Sequence, residues 1–296
     1  MHIVVTGGTG FIGTPLCAAL RASGHRVTVL SRRSRQDAAT VGSLDEIDSA
    51  TRVDALINLA GAPLNGRRWS AAYKQEIIDS RLRTTRAVLD LVERLDAPPA
   101  ALLSASAVGY YGHHGDEILD EQGATEPGFA QDLCARWEEL AGRAAARGVR
   151  VCLLRLGVVL DAGGGALQEM ANSFRFGVGS WIGSGEQWLS WIHRDDVVRA
   201  VAFLLQRDEL QGPFNLTAPA PVTSQQLCAA LAQHHRVLLR AGVPGPVLRL
   251  LLGEVAQELL LNGQRVVPAA LQAAGFRFDY PDVERALAAI YADQAS

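Results

Sequence analysis

The chain has 296 residues, 48% of them hydrophobic and 20% charged, with a formal net charge of −3. That balance suits a packed, enzyme-sized globular protein, and the charge offers no field for nucleic acid or an anionic membrane surface. No apolar run reaches membrane-spanning length, a strand beginning at residue 2 leaves no room for a signal peptide, and Cys17, Cys134, Cys152 and Cys228 form no C-x-x-C pair, so the expectation is a cytoplasmic protein with buried thiols.

The chain opens on a β-branched run, Ile3-Val-Val5, that ends in the glycine turn Thr6-Gly-Gly-Thr-Gly-Phe-Ile-Gly13. An apolar helix pattern (Phe11, Ile12, Leu16, Leu20) follows at once. The glycines fit two registers, Gly8-x-Gly10-x-x-Gly13 and Gly7-x-x-Gly10-x-x-Gly13. Strand, glycine turn and helix in this order form a dinucleotide fingerprint: bare backbone approaches a pyrophosphate, and the helix N-terminus faces it. A second strand spans Arg26–Leu30, a third Ala55–Leu59, and a long helix runs from Ala71 to Leu95, stopped by Pro98-Pro99. Strand Ala101–Ser104, an irregular stretch over 109–128, a helix from Ala130 to Ala146 and strand Val149–Leu154 continue the alternation. Apolar strands alternating with helices predict an α/β fold, a Rossmann-like doubly wound parallel sheet covered on both faces. After Gly157, glycine clusters and a Trp-rich segment predict a smaller C-terminal substrate or lid region. The expected division is residues 1–156 with 187–212 returning to them, against 157–186 and 213–296.

The end of the second strand selects the cofactor. An acid there would bind the ribose 2′-hydroxyl of NAD, whereas this chain has Leu30-Ser31-Arg32-Arg33 and no acid until Asp37. A hydroxyl and two guanidinium groups match the 2′-phosphate of NADP(H), although a solvated basic loop has the same composition.

Four segments together carry a family resemblance: Thr6–Gly13, Asn58-Leu-Ala-Gly61, Ser104-Ala-Ser-Ala-Val-Gly-Tyr-Tyr-Gly112 and Trp191-Ile-His-Arg-Asp-Asp196. They resemble an extended short-chain dehydrogenase/reductase, and more narrowly the atypical sugar-nucleotide-epimerase-like family with a cell-division-inhibitor-like label. Arg68-Trp69, Ser80-Arg81, Trp137-Glu138, Gly157-Val-Val-Leu160 and Gly183-Ser-Gly-Glu-Gln-Trp188 add to it. A family-specific C-terminal module is matched at Leu252-Gly-Glu254, Gly263-Gln-Arg-Val266 and Gly275-Phe276. The resemblance implies a Rossmann-like fold and an NADP-type cofactor. Position by position it implies contacts from Gly7, Gly10, Phe11, Ile12, Gly13, Ser31 and Arg32, from the turn Leu59, Ala60 and Gly61, from Glu76, Ser80 and Arg81, and from Val158. Arg33 joins the set from its place beside Arg32. By spacing alone, Glu76 and Arg81 also read as solvated helix charges. No metal site is expected.

Catalysis departs from the family pattern. The usual centre pairs Ser with Tyr-x-x-x-Lys, in which the tyrosine moves a proton and the lysine lowers its pKa. This chain has one lysine, Lys74, and none of its five tyrosines precedes a lysine by four. Counting back from Glu138, the Tyr and Lys positions hold Ala130 and Cys134. Ser106 stands at the serine position, with a turn or capping serine as the plain alternative. Tyr110, Tyr111 and His114, with His113 beside them, are the candidate replacement proton donors. Asp195 and Asp196 read as helix-capping acids, and Trp181, Trp188 and Trp191 as either core or pocket wall. Two functions remain open: an NADP(H)-dependent oxidoreductase or nucleotide-sugar-epimerase-like enzyme acting on a small molecule, or a non-catalytic, NADP(H)-binding, redox-responsive regulator. Substrate and oligomeric state are not legible.

Overall fold

The computed structural model describes residues 1–31, 39–63, 69–246 and 261–295. Seven parallel strands form one sheet. They are β1 (His2–Thr6), β2 (Arg26–Leu30), β3 (Thr40–Val41), β4 (Ala55–Asn58), β5 (Ala101–Ala107), β7 (Arg150–Leu156) and β12 (Gly212–Leu216), in the order β12-β7-β5-β4-β1-β2-β3. The order reverses beside β1: β2 and β3 extend the sheet on one side of it, and the chain then returns to lay β4 on the other. In an open α/β sheet, ligands bind outside the strand C-termini at that reversal.

Both faces are covered, as runs of apolar strand residues require. On one face α1 (Gly13–Ala22) and α5 (Arg194–Leu205) bury Leu16, Leu20, Val197 and Val201 against Ile3, Val5 and Ile57. On the other, α2 (Ala71–Arg94) and α3 (Phe129–Gly142) bury Val88, Val92 and Leu140 against Val4, Leu56 and Leu102. Alternate residues of one strand thus serve opposite layers. The fold is the expected Rossmann-like α/β sheet with a smaller C-terminal region.

Three boundaries differ from the sequence reading. Strand β5 runs three residues further, to Ala107, because β7 pairs with it along its whole length. Helix α3 stops at Gly142 and tightens into a 3-10 turn over Arg143–Arg147, closed by Gly148 in the left-handed region (φ +75°). The stretch 109–128 contains a 3-10 turn (Val108–Tyr111) and a short strand, Ile118–Leu119, that pairs in parallel with Arg265–Val266.

A third cluster holds the C-terminal region together. Trp191 is fully buried among Leu227, Leu231, Leu287 and Ile290. The Asp196 carboxylate is fully buried and accepts the N–H groups of Asp279 and Tyr280 at 3.0 Å each. Helix α5 is capped instead by His193, whose Nδ1 accepts the Asp195 N–H at 3.1 Å. The expected acid caps are corrected accordingly: the imidazole caps the helix, and Asp196 ties it to the C-terminal segment. The amphipathic run Val247, Leu248, Leu251, Leu252 and Val255 lies outside the described residues, as do Arg68 and the segment Leu252–Glu254.

Candidate active site

The glycine turn is built of positions that reject a side chain. Gly7 has φ +72°, and a Cβ there would stand 2.8 Å from the Leu59 carbonyl. A Cβ on Gly13 would stand 2.1 Å from the Gly7 oxygen. The Gly10 N–H donates back to the Gly7 oxygen at 3.0 Å, closing the turn. Ile12 caps α1 without a side-chain bond, and among the described residues no acceptor takes the N–H of Phe11 or Ile12. Free amides at the positive end of a helix are phosphate-binding chemistry.

A buried amide fixes the neighbouring turn. The Thr6 hydroxyl donates to Asn58 Oδ1 at 2.6 Å and accepts the Ala60 N–H at 3.3 Å. Asn58 Nδ2 donates to Thr85 and Ser104 hydroxyls at 2.9 and 3.2 Å. Leu59, Ala60 and Gly61 therefore leave β4 along one path, beside Gly7. Ser80 accepts the Ala62 N–H at 2.9 Å. Arg81 lies against Gly61, where a Cβ would meet its guanidinium carbon at 3.1 Å. Its Nη1 donates to the carbonyls of Ala62 and Ile77, and the group stacks 5.3 Å from the Trp137 ring. Burial lowers its pKa from the ordinary value, and among the described residues no carboxylate pairs with it. A desolvated cation bonded to carbonyls, with no carboxylate partner among the described residues, is suited to an anionic ligand. Glu76, one helical turn earlier, is exposed. Ser31 is buried at the end of β2, while Arg32 and Arg33 lie outside the described residues. Val158 is half-buried and opens the short strand β8 (Val158–Leu160), paired with β11 (Trp191–His193).

The candidate catalytic residues sit over a buried polar network. Ser106, 2% exposed, donates its hydroxyl to Glu138 Oε1 at 2.6 Å. Arg155 donates Nε to Oε1 and Nη2 to Oε2 of the same carboxylate, both at 2.9 Å. Burial opposes the Arg155 charge, and the Glu138 hydrogen bonds and charge outweigh that cost, so its pKa lies above the usual arginine value. Arg155 Nη1 also donates to the Tyr111 hydroxyl at 3.0 Å, which itself donates to Asn215 Oδ1 at 2.7 Å. Tyr111 is fully buried, and burial pushes its pKa up to about 12.

The four donor candidates are therefore unequal. Tyr111 is spoken for on both sides. His114 engages Glu117 through Nδ1 at 2.8 Å and the Tyr111 carbonyl through Nε2 at 2.9 Å. His113 reaches the Gly263 carbonyl at 3.3 Å and lines an open cavity of about 220 Å³ with Asp116, Glu186 and Trp188. Tyr110 is half-buried, with the Arg155 guanidinium 3.5 Å from its ring centre, and its hydroxyl has no partner among the described residues.

Ala130 and Cys134, which the sequence reading sets at the Tyr and Lys positions of the usual relay, are packed against the Tyr110 turn. A Cβ on Gly109 would stand 3.0 Å from the Ala130 Cβ and 3.8 Å from the Cys134 sulfur. The turn bearing Tyr110 thus packs on the α3 face that presents Ala130 and Cys134. Burial pushes the Cys134 thiol up to about 11, so it stays protonated near neutrality. Sequence reasoning used Glu138 only as a marker and missed Arg155, although a lone arginine inside the apolar strand Val151–Leu156 was the available signal.

Comparison with known proteins agrees with this architecture. Residues 3–216 match the model of the NAD dependent epimerase/dehydratase family. The chain belongs to that family. Residues 243–290 match a second model, a domain of unknown function, DUF1731. An epimerase family protein of Mycobacterium tuberculosis, MT2273, is 40% identical over 291 residues, covering 96% of each chain. The chloroplastic SDR39U1 homolog of Arabidopsis thaliana is 39% identical, over 98% of this chain and 86% of its own. The crystal structure of human epimerase family protein SDR39U1 with NADPH superposes with a TM-score of 0.88 at 33% identity, over 99% of this chain and 100% of that one.

Proposed function

We propose that this chain binds NADP(H) and acts as an oxidoreductase or nucleotide-sugar-epimerase-like enzyme on a carbonyl-bearing small molecule. The observation that carries the reading is the cradle around Gly7 and Gly13, which a single Cβ would fill, with free Phe11 and Ile12 amides at its rim. Support comes from human SDR39U1, crystallised with NADPH. When bound, the cofactor supplies a hydride donor or acceptor.

The residues of the chain divide the remaining work. Gly7, Gly10, Phe11, Ile12 and Gly13 receive the diphosphate on bare backbone. Ser31, Arg32 and Arg33 receive the 2′-phosphate. Leu59, Ala60, Gly61 and Ser80 shape the adenosine side, with Glu76 at its edge and Arg81 as a desolvated cation. Val158 would offer its backbone near the nicotinamide. Tyr110 gives the proton to the substrate oxygen, because its hydroxyl alone among the four candidates is uncommitted in polar contacts and lies in no internal network. Ser106 commits its one hydrogen to Glu138, which leaves it as an acceptor beneath the site and not a donor to the substrate oxygen.

A second reading has its own observation. The closed Ser106–Glu138–Arg155 network and the filled Ala130–Cys134 face favour an NADP(H)-binding protein without turnover. A screen of carbonyl compounds and nucleotide sugars, followed by NADPH absorbance, separates the two. The enzyme reading expects turnover that Tyr110→Phe lowers at least about tenfold at unchanged cofactor affinity. Tight NADPH binding with no turnover across the screen replaces it with the second reading.

A further inference from the structure

Among the described residues, one buried side-chain polar atom lacks a hydrogen-bond partner, and it is Arg194 Nε. Arg194 opens α5, and its guanidinium lies 5.0 Å from the ring centre of Phe11, in the glycine turn. The Asp161 carboxylate, at the end of β8, takes its Nη2. Asp161 is itself mostly buried and also accepts the Ala162 N–H at 2.5 Å. The next residues press onto the same ring: Cβ atoms on Gly164 and Gly165 would stand 3.2 and 3.0 Å from Phe11 carbons. A cation, its carboxylate and a glycine loop thus converge on Phe11, one of the two residues of the turn whose N–H is free.

Buried donors are almost always satisfied, and an arginine has five of them. Asp161 reaches one edge of this guanidinium. Arg194 is also about a quarter exposed, so part of it remains open. A phosphate oxygen is the acceptor that a planar guanidinium beside a phosphate turn fits best.

We infer that Arg194 is a further anion-binding residue of the cofactor site, and that Asp161 holds its guanidinium in place until a diphosphate takes over the pairing. The inference rests on the NADP(H) reading and adds to it a cation that is neither in the glycine turn nor at the 2′-phosphate end. Asp161 is then a stand-in anion, exchanged when the ligand enters. The exchange keeps Arg194 paired before and after the ligand enters, while Asp161 gives up its cation and keeps the Ala162 N–H. A purely structural pair would behave differently, since both of its members would matter to stability and neither to ligand choice.

The test is calorimetric titration of the whole protein with three probes: NADPH, inorganic pyrophosphate, and 2′-AMP, which carries the adenosine 2′-phosphate without a diphosphate. Arg194→Leu should weaken NADPH and pyrophosphate at least about tenfold and leave 2′-AMP within about twofold. Asp161→Asn, which removes the competing carboxylate, should leave NADPH binding as tight as in the parent or tighter. Unchanged NADPH affinity in Arg194→Leu, with both variants melting earlier, overturns the inference and makes the pair a strut. If Arg194→Leu loses 2′-AMP as well, Arg194→Gln replaces it, and loss of both ligands there too is also contradictory. A parent protein that binds pyrophosphate through Arg194 but not NADPH would sink the NADP(H) reading while leaving the anion site standing. Failure to bind either probe would remove both.

Discussion

Arg155 and Glu138 form a two-pronged ion pair, 2.9 Å on each prong, with side chains only 4% and 7% exposed. The strand β7 contributes the cation and α3 the acid, so the pair fastens the sheet to the helix that carries Ala130 and Cys134. Ser106 donates to the same carboxylate, and Arg155 extends the chain of bonds to Tyr111 and Asn215. Removing one member of such a pair strands a desolvated charge, at a cost of about 3–5 kcal/mol. Glu138→Ala should lose stability on that scale in chemical denaturation. A loss below about 1 kcal/mol, the scale of exposed pairs, would show that the pair is solvated in solution.

Glu121 should make the fold less stable as pH rises. Its carboxylate accepts the N–H groups of Asn215 at 2.9 Å and Ala270 at 3.0 Å, tying β12 to the helix Ala269–Ala273. Desolvation is the largest influence and raises its pKa above the ordinary carboxylate value of 4.5, against the lowering effect of those two bonds. A raised acid binds its proton more tightly folded than unfolded, so its contribution falls as pH rises from about 4.5 through the folded value. Thermal midpoints of the parent and Glu121→Gln, compared across that window, should converge at the acid end and change in relative position above it. A constant offset at every pH would contradict the shift.

A tyrosine at position 130, where the sequence reading sets that of the usual relay, should damage this chain rather than activate it. Ala130 faces Gly109 so closely that a Cβ on the glycine would stand 3.0 Å away. Ala130→Tyr drives a ring into the turn that carries Tyr110, an overpacking that typically costs about 1–3 kcal/mol. The expected result is an earlier thermal midpoint with no gain in NADPH-linked turnover, in the single variant and with Cys134→Lys added. A stable, faster double variant would mean the turn yields easily.

The sheet was legible because its physics is local: β-branched apolar runs, a glycine turn and helix stops at Pro98-Pro99. The glycine turn was legible for the same reason, since the left-handed backbone of Gly7 and the contact of Gly13 with the Gly7 oxygen are set within a few residues. What sequence reasoning missed are pairings over long separations. Nothing near Arg155 announces Glu138, and nothing near Ile118–Leu119 announces Arg265–Val266. Ser106 could be placed at a strand end, but whether its hydrogen points to a ligand or to Glu138 depends on α3, thirty residues away in another layer. The Asp196 contact with Asp279 and Tyr280 is of the same kind. Short apolar runs gave the layers; tertiary polar contacts decided which candidate side chains remain free.

Tyr111 and Tyr110 should separate cleanly by measurement. The Tyr111 hydroxyl is fully buried between Arg155 and Asn215, so Tyr111→Phe leaves partners unsatisfied and should cost about 1–3 kcal/mol of stability. Tyr110→Phe removes a hydroxyl without internal partners among the described residues and should leave the thermal midpoint nearly unchanged. The reverse order in a denaturation series would exchange their places in the account.

The central claim is an NADP(H) site, and paired calorimetric titrations with NADPH and NADH test it most directly. Ser31, Arg32 and Arg33 stand where an NAD-selective acid would be, so NADPH should bind more tightly. Arg32→Ala should remove a charge-assisted contact worth about 1.5–3 kcal/mol, roughly ten- to a hundred-fold in NADPH affinity, and leave NADH binding where it was. Equal affinity for the two cofactors, or a preference for NADH that Arg32→Ala does not alter, would contradict the assignment.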